Sequence, residues 1–258
     1  MGNAGLPQEN APVTQPRFLV RPEALGGRST VLIGSELHHL RVRRLRTGST
    51  LILFDGVGHQ RKGIVTALDR RQACIQFVEE DLGQPESPLR LVLAQAALKA
   101  GKLDLIIEKA TELGASELIF FTSERSARPL TAVRAARWDR IAASAAKQCQ
   151  RRTVPTVRGP ITFDELLGEQ TAVLRLLFWE DARDATLHTL ARVRRQCTSI
   201  LAVVGPEGGF SSREAARAQA AGFEVIHLAP RILRAETAAI IAVALCQFLW
   251  GDLGGTVP

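Results

Sequence analysis

The sequence predicts an α/β protein in which a small β-barrel precedes a larger, mainly parallel sheet covered by helices. Two observations lead there. Short strand-like runs separated by turn residues fill the first third of the chain, and after Pro88 apolar strands alternate with longer helical segments. At 258 residues the chain has room for a small domain joined to a larger one. Hydrophobic residues make up 46% and charged residues 23%, a balance that argues against disorder through most of the length.

Residues 1–16 contain Pro7, Pro12 and Pro16 and almost no large apolar side chains, so a disordered extension is expected there. This stretch has neither the basic start and apolar stretch of a signal peptide nor the Ser or Thr at position six that a myristoylation signal wants. Residues 17–80 read as the barrel, with strands at 18–20, 30–33, 50–54, 63–68 and 73–78. Gly48 and Asp55-Gly56 supply turn chemistry, and Leu37 and Leu40 mark a short helix over 35–43. Residues 81–88, with two prolines, are expected to be a linker. Residues 89–258 form the second domain, with strands at 89–94, 118–121, 172–178, 199–204 and 224–228. Its helices are expected near 102–113, 134–150, 188–197, 213–221 and 236–250. Ligands of such sheets sit beyond the carboxyl ends of the strands.

The longest apolar run, 238–250, is too short to cross a bilayer and is interrupted by Gln247, so it predicts a buried helix and no membrane association. Cys74, Cys149, Cys197 and Cys246 are widely spaced with no nearby histidine, which suggests neither a zinc site nor a disulfide framework. No metal is expected, and a reducing cytoplasm is the natural compartment.

The formal charge of +7 attracts polyanions, and its distribution sharpens that statement. Between residues 38 and 71, Arg41, Arg43, Arg44, Arg46, Arg61, Lys62, Arg70 and Arg71 face only Asp55 and Asp69. Between 125 and 158, Arg125, Arg128, Arg134, Arg137, Arg140, Lys147, Arg151, Arg152 and Arg158 face Asp139 alone. The two clusters are either solvated surface or an extended RNA footprint, since guanidinium groups pair with phosphates and stack on bases.

Two segments carry candidate chemistry. Gly205-Pro206-Glu207-Gly208-Gly209-Phe210 follows the strand at 199–204, and Ser211 with Glu214 makes a capping-box pattern that predicts a helix start. The glycines permit positive φ angles and let main-chain amides approach a ligand, or they make a tight structural turn. No Gly-Lys-Ser/Thr ending and no Gly-x-Gly-x-x-Gly run is present, which excludes a phosphate loop and a dinucleotide fingerprint. The second segment runs through Arg231-Ile232-Leu233-Arg234-Ala235-Glu236-Thr237-Ala238 into the last helix, with Thr237 as an expected cap. The segments come from consecutive strand-helix units and are expected to open on the same edge of the sheet.

These two motifs in this order resemble the 16S ribosomal RNA (uracil-N3)-methyltransferase family of the SPOUT class. The likeness covers nearly the whole chain after residue 16. It includes Arg17-Phe18, His38-His39 with Val42, Arg44 and Gly48, Lys109-Ala110-Thr111-Glu112-Leu113-Gly114, Glu124-Arg125-Ser126, and Gln148 with Arg151 before Val154-Pro155. The resemblance implies a PUA-like RNA-binding barrel, a trefoil-knotted parallel-sheet domain and a homodimer whose last helix contributes to the interface. It also implies S-adenosyl-L-methionine as cofactor, held by Phe178, Gly205, Pro206, Glu207, Gly208, Gly209, Leu228, Ile232, Leu233, Thr237 and Ala238. Arg43, Lys147 and Ala229 depart from the usual family pattern.

The expected reaction is methylation of the N3 position of a specific uridine in 16S rRNA of the small ribosomal subunit. A sulfonium methyl is already activated, so the protein mainly aligns it with the nucleophile. The uracil imide carries a proton near neutral pH and needs a base or a stabilising cation. Arg234 is the candidate cation and Glu236, with Glu207 behind it, the candidate proton acceptor; Arg234 and Glu236 alternatively form a structural ion pair. Candidate RNA contacts are Arg17, His38, His39, Arg44, Arg125, Gln148 and Arg151, although the histidine pair fits barrel packing equally well. Other readings are a methyltransferase of the same class acting on another RNA position, a non-catalytic rRNA-binding or ribosome-assembly protein, and a Rossmann-type oxidoreductase. The first is disfavoured in its ribose form because no asparagine follows Asn10, the second by the paired loops, and the third by the missing glycine fingerprint.

Overall fold

The structure, a computed structural model, describes residues 15–80, 83–99, 101–126, 135–169, 172–182 and 186–255. Most of the expected extension, residues 81–82 of the expected linker, Arg128, and Arg134 at the expected start of the third helix lie outside the described residues. The chain divides into two compact units between Gly83 and Gln84.

The first unit contains β1 (Arg17–Leu19), β2 (Ser29–Leu32), α1 (Gly34–Val42), β3 (Thr50–Phe54), β4 (Gln60–Leu68) and β5 (Ala73–Glu80), with one short 3-10 turn at Pro22–Leu25. The strands hydrogen-bond in the order β1-β3-β4-β5-β2, with β1 parallel to β3 and the other pairs antiparallel. Strand β5 shows why this sequence is a strand: Ala73, Ile75 and Phe77 point into the core while Gln76 and Val78 are exposed, the period-two pattern of a sheet with one wet face. Register shifts at Lys62/Gly63 and Val65/Ala67 curl the sheet into a half-barrel. A core of Phe18, Leu51, Leu53, Val65 and Ile75 fills the concave side, closed by Leu37 and Leu40 of α1.

The second unit contains β6 (Arg90–Ala96), α2 (Lys102–Glu112), β7 (Glu117–Thr122), α3 (Ala135–Gln148), β8 (Thr156–Thr162), α4 (Phe163–Leu167), β9 (Leu174–Phe178), α5 (Leu187–Val193), β10 (Ser199–Val204), α6 (Ser212–Ala220), β11 (Glu224–Ile226) and α7 (Ala235–Trp250). Its six strands run in the order β11-β9-β10-β6-β7-β8, and every paired neighbour is parallel. Both faces are covered. Leu91 and Leu93 pack into a core with Trp138 of α3 and Val243 of α7, whereas Val92 and Ala94 pack into another with Phe163 of α4 and Ala218 of α6. Burial on both sides explains the continuous apolar runs of β6 and β10.

The sequence reading missed β8 and α4. Gly159-Pro160 looks like a turn, yet it lies inside an edge strand, where proline is tolerated because no outer neighbour needs its amide. A register shift between Ile119 and Phe121 accommodates it. Gly159 has φ +116°, and a Cβ there would overlap the Phe120 carbonyl, so the position admits only glycine. The signal for α4 was present as Thr162-x-x-Glu165, a capping box that the structure forms in both directions.

Within the expected linker 81–88, Glu86 and Ser87 are hydrogen-bonded into the second unit, to which residues 84–88 belong. Glu86 accepts from the Arg151 guanidinium at 2.9 Å and from the amides of Arg152 and Thr153 at 2.9 and 3.0 Å. Ser87 Oγ donates to Oε1 of the buried Gln247 at 2.7 Å, and Gln247 Nε2 donates to the Gly114 carbonyl at 3.0 Å. Burial by itself pushes the Glu86 carboxyl up, but the Arg151 charge and the Thr153 hydrogen bonds outweigh it and hold the group below its ordinary value.

Replacing Gly159 by Ala is expected to cost about 2 kcal/mol, from the positive φ and the lost close approach, and thermal unfolding reads it directly. For Glu86 the folded carboxyl binds its proton less readily than the unfolded one. Its contribution is therefore complete above the ordinary value of 4.5 and is lost as pH falls through the lower folded value. Denaturant titrations should find Glu86→Gln roughly 2 kcal/mol less stable than the parent at pH 7, with the gap closing below that point. A gap independent of pH contradicts this account.

Candidate active site

Strand β10 is buried along its length and delivers Gly205 to the carboxyl edge of the sheet. The following loop is held in place from several elements. Gln95 at the end of β6 is fully buried and donates from Nε2 to the Gly205 carbonyl at 2.9 Å. Arg125 donates to the carbonyls of Gly208 and Phe210 at 3.1 and 3.3 Å, and Trp179 Nε1 donates to Phe210 O at 3.2 Å. The Phe210 ring is buried and packs near Phe121 and Phe163. Gly209 has φ +67°, a backbone conformation that residues with a Cβ rarely adopt, and it lies against the Glu180 carboxylate. Helix α6 then starts with the capping box foreseen for Ser211 and Glu214.

The second loop follows β11 and ends at Arg234, which occupies the N-cap of α7 with an extended backbone and no side-chain cap bond. The expected cap Thr237 is instead inside the helix, because α7 begins at Ala235. Between the two loops lies a cavity of about 420 Å³, within the roughly 300–1,000 Å³ range of small-molecule sites. Phe178, Gly205, Pro206, Glu207, Gly209, Leu228, Ile232, Leu233 and Ala238 line it, as does Arg234. Gly208 and Thr237 are not part of its lining, and Gly208 packs against Arg125 instead. Ile232 is 89% exposed at the mouth.

Lys102, Trp179, Glu180, Val204 and Ala229, which the sequence did not single out for the site, also line the cavity, as do Arg231 and Ala235 of the second segment. Trp179 and Glu180 directly follow β9, so the rule that ligands gather at strand carboxyl ends was enough to find them. Lys102 carried no such signal, since it opens a helix remote in sequence from both loops.

Lys102 Nζ lies 3.0 Å from Glu236 Oε2 and 3.3 Å from Glu207 Oε1. The Glu236 partner therefore is Lys102, in place of the Arg234 pair considered from sequence. Burial pushes Glu236 up, but its own amide, the Lys102 ammonium and the Arg234 charge together leave its pKa lowered. Lys102 is raised chiefly by its interaction with Glu236; burial opposes this, and the added pull of Glu207 leaves the net effect upward. Glu236 is thus an ionised, engaged carboxylate and a weak proton acceptor.

The site suits a small molecule with a flat apolar part and charged groups of both signs. Phe178, Leu228, Leu233 and Ala238 provide apolar walls, glycine main chain is accessible, and the charged lining comes from Glu180 and Glu207 together with Lys102, Arg231 and Arg234. Among the described residues, no group of three or more His, Cys, Asp or Glu is placed to hold a metal ion.

The proposed RNA contacts divide by exposure. His38 and Arg44 are exposed, Arg44 with φ +56°, and Gln148 is exposed at the end of α3 in an open groove that Arg137 and Arg140 also line. His39 is half-buried, 5.1 Å from the Phe18 ring, and its Nε2 accepts from Arg43 Nε at 3.1 Å. Arg17 is buried, donates to Gln60 Oε1 at 2.7 Å and sits over the Phe54 ring. Arg125 braces the glycine loop, as described above. Arg151 donates to Glu86, the Thr111 and Ala115 carbonyls and Thr153 Oγ1, all within 2.9 Å.

Comparison with known proteins agrees with this geometry. An RNA methyltransferase domain model matches residues 85–247, and an RNA methyltransferase PUA domain model matches residues 32–78. The ribosomal RNA small subunit methyltransferase E of Synechocystis sp. is 33% identical over 88% of this chain and 76% of its own length. That of Bacillus subtilis is 29% identical over 84% and 89%. The crystal structure of the Neisseria gonorrhoeae enzyme of the same name, bound to S-adenosyl methionine, superposes with a TM-score of 0.85 at 34% identity, over 92% of this chain and 99% of the other. With a two-loop cavity at the sheet edge, a curled barrel-like sheet before it and matches of this extent, the chain belongs to the ribosomal RNA small subunit methyltransferase E family of RNA methyltransferases.

Proposed function

We propose that this protein uses S-adenosyl-L-methionine to methylate N3 of one uridine in 16S rRNA of the small ribosomal subunit, acting in the cytoplasm as a homodimer with a trefoil-knotted catalytic domain. The observation that carries the reading is the cavity closed between the 205–210 loop and the entry to α7. In this reading residues 17–80 are a PUA-like RNA-binding domain and residues 89–258 the catalytic domain, as the family resemblance suggests. The knot is inferred from the same resemblance.

The bound donor supplies an activated methyl group on a sulfonium centre. Phe178, Leu228, Leu233 and Ala238 hold its apolar part, and Gly205, Pro206, Glu207 and Gly209 form the opposite wall; Gly208 and Thr237 support the two loops from outside it. Arg234, exposed at the rim, stabilises negative charge developing on the uracil carbonyls and so favours loss of the N3 proton to solvent water. Glu236 serves that charge balance through Lys102. On the RNA side, His38, Arg44 and Gln148 present exposed polar groups, while Arg17, His39, Arg125 and Arg151 shape the surfaces that carry them. For the dimer, Ile241, Leu245 and Phe248 recur at helical spacing on α7 without being fully buried, and Phe248 is 61% exposed.

N3 methylation removes a Watson-Crick donor, so small subunits lacking the mark, incubated with the protein and donor, should acquire one reverse-transcription stop at a uridine. A ribose or cytosine mark, or no mark, rejects the substrate assignment. Gly209→Ala is expected to raise the donor Kd by about tenfold in calorimetry while lowering Tm by only about 2–4 °C. Donor binding equal to the parent's would remove the glycine loop from the site.

A further inference from the structure

We infer that Lys102 is a positioning residue that joins the two cofactor loops across the cavity, holding Glu207 and Glu236 on one cation. The inference rests on the donor site proposed above and adds to it a residue from outside both signature motifs. Lys102 is the first residue of α2, and its ammonium reaches Glu236 at the start of α7 and Glu207 in the glycine loop. The Lys99 amide adds a 3.5 Å bond to Glu207 Oε1.

The hydrogen bonds that brace the glycine loop come from Gln95, Arg125 and Trp179, which lie at the ends of β6, β7 and β9. None of them reaches the α7 entry. Among the described residues, the polar link between the two loops runs through Lys102. Its side chain is 29% exposed and lines the cavity, so it is sheltered enough for the charges to be felt and placed where the donor would lie. Two carboxylates within 3.3 Å of a single nitrogen repel each other once that nitrogen loses its charge. Without the cation the loops separate, and the cavity wall opens.

This account makes a prediction that loss of ordinary packing does not. Removing a second charged group should repair the first lesion. Calorimetry with S-adenosyl-L-methionine on Lys102→Met should show donor binding weakened about tenfold, with Lys102→Arg within about threefold of the parent. The double variant Lys102→Met with Glu236→Gln should bind donor at least about threefold more tightly than Lys102→Met alone, because the uncompensated repulsion is gone. Should Lys102→Met fail to fold, the exchange Lys102→Glu with Glu236→Lys carries the test, and donor binding within about threefold of the parent supports the inference. Parent-like binding by Lys102→Met, a double variant whose loss is the product of the two single losses, or an exchange variant weaker than that limit overturns it. A parent protein that binds no donor overturns the donor site itself, and is distinguished by needing no variant.

Discussion

Glu214 has no contact with solvent, and its two carboxylate oxygens take the amide protons of Ser211 and Glu124, so the entry of α6 and the loop after β7 are tied at one point. A buried carboxylate is costly unless its oxygens are paired, and here both are. Glu124 in turn accepts from Ser211 Oγ and Arg213, which extends the tie to the surface. Because Arg125 follows in the same loop, the tie also places its guanidinium against the carbonyls of Gly208 and Phe210. The glycine loop is therefore set by a neighbouring strand connection as much as by its own conformational preferences. That is the condition for a preformed site, since a loop so rich in glycine would otherwise lose much entropy on closing around a ligand.

The cavity carries its charges in an arrangement that separates holding from chemistry. Glu180 and Glu207 present negative charge to the interior, and Glu236 is ionised beside Lys102. Arg231 and Arg234 are exposed cations lining the cavity, and Arg234 contributes to the field at Glu236. An ionised carboxylate already bonded to a cation is a weak base, which counts against Glu236 as a dedicated proton acceptor.

The arginines that make the chain basic do different kinds of work. Arg151, Arg17 and Arg125 have their guanidinium groups hydrogen-bonded within the protein; in Arg151 and Arg125 the planar fork reaches two main-chain carbonyls, and in Arg17 it reaches the Gln60 side chain. Arg44 lies on the exposed side of the first unit, and Arg140 lies beside the open groove of the second. Net charge is thus a fair guide to the kind of partner and a poor guide to which residues meet it.

Sequence alone was enough for the strands and helices other than β8 and α4, for the change from barrel to parallel sheet after Pro88, and for the two loops that approach the cavity. Each of these is encoded locally, in period-two alternation, in glycine placement and in capping patterns such as Ser211-Glu214. Local signals failed where a neighbour overrode them: Gly159-Pro160 reads as a turn until the edge of a sheet and the Phe120 backbone make it a strand. They also failed at Thr237, whose expected cap role yields to Arg234 because α7 starts at Ala235. The three-dimensional packing was needed to show that Lys102 shares the cavity, that Gly208 packs against Arg125 outside its lining, and that Arg151 is engaged by Glu86. The reason is physical: a hydrogen bond or ion pair depends on distance in space, and parallel strands bring together residues that the chain keeps far apart.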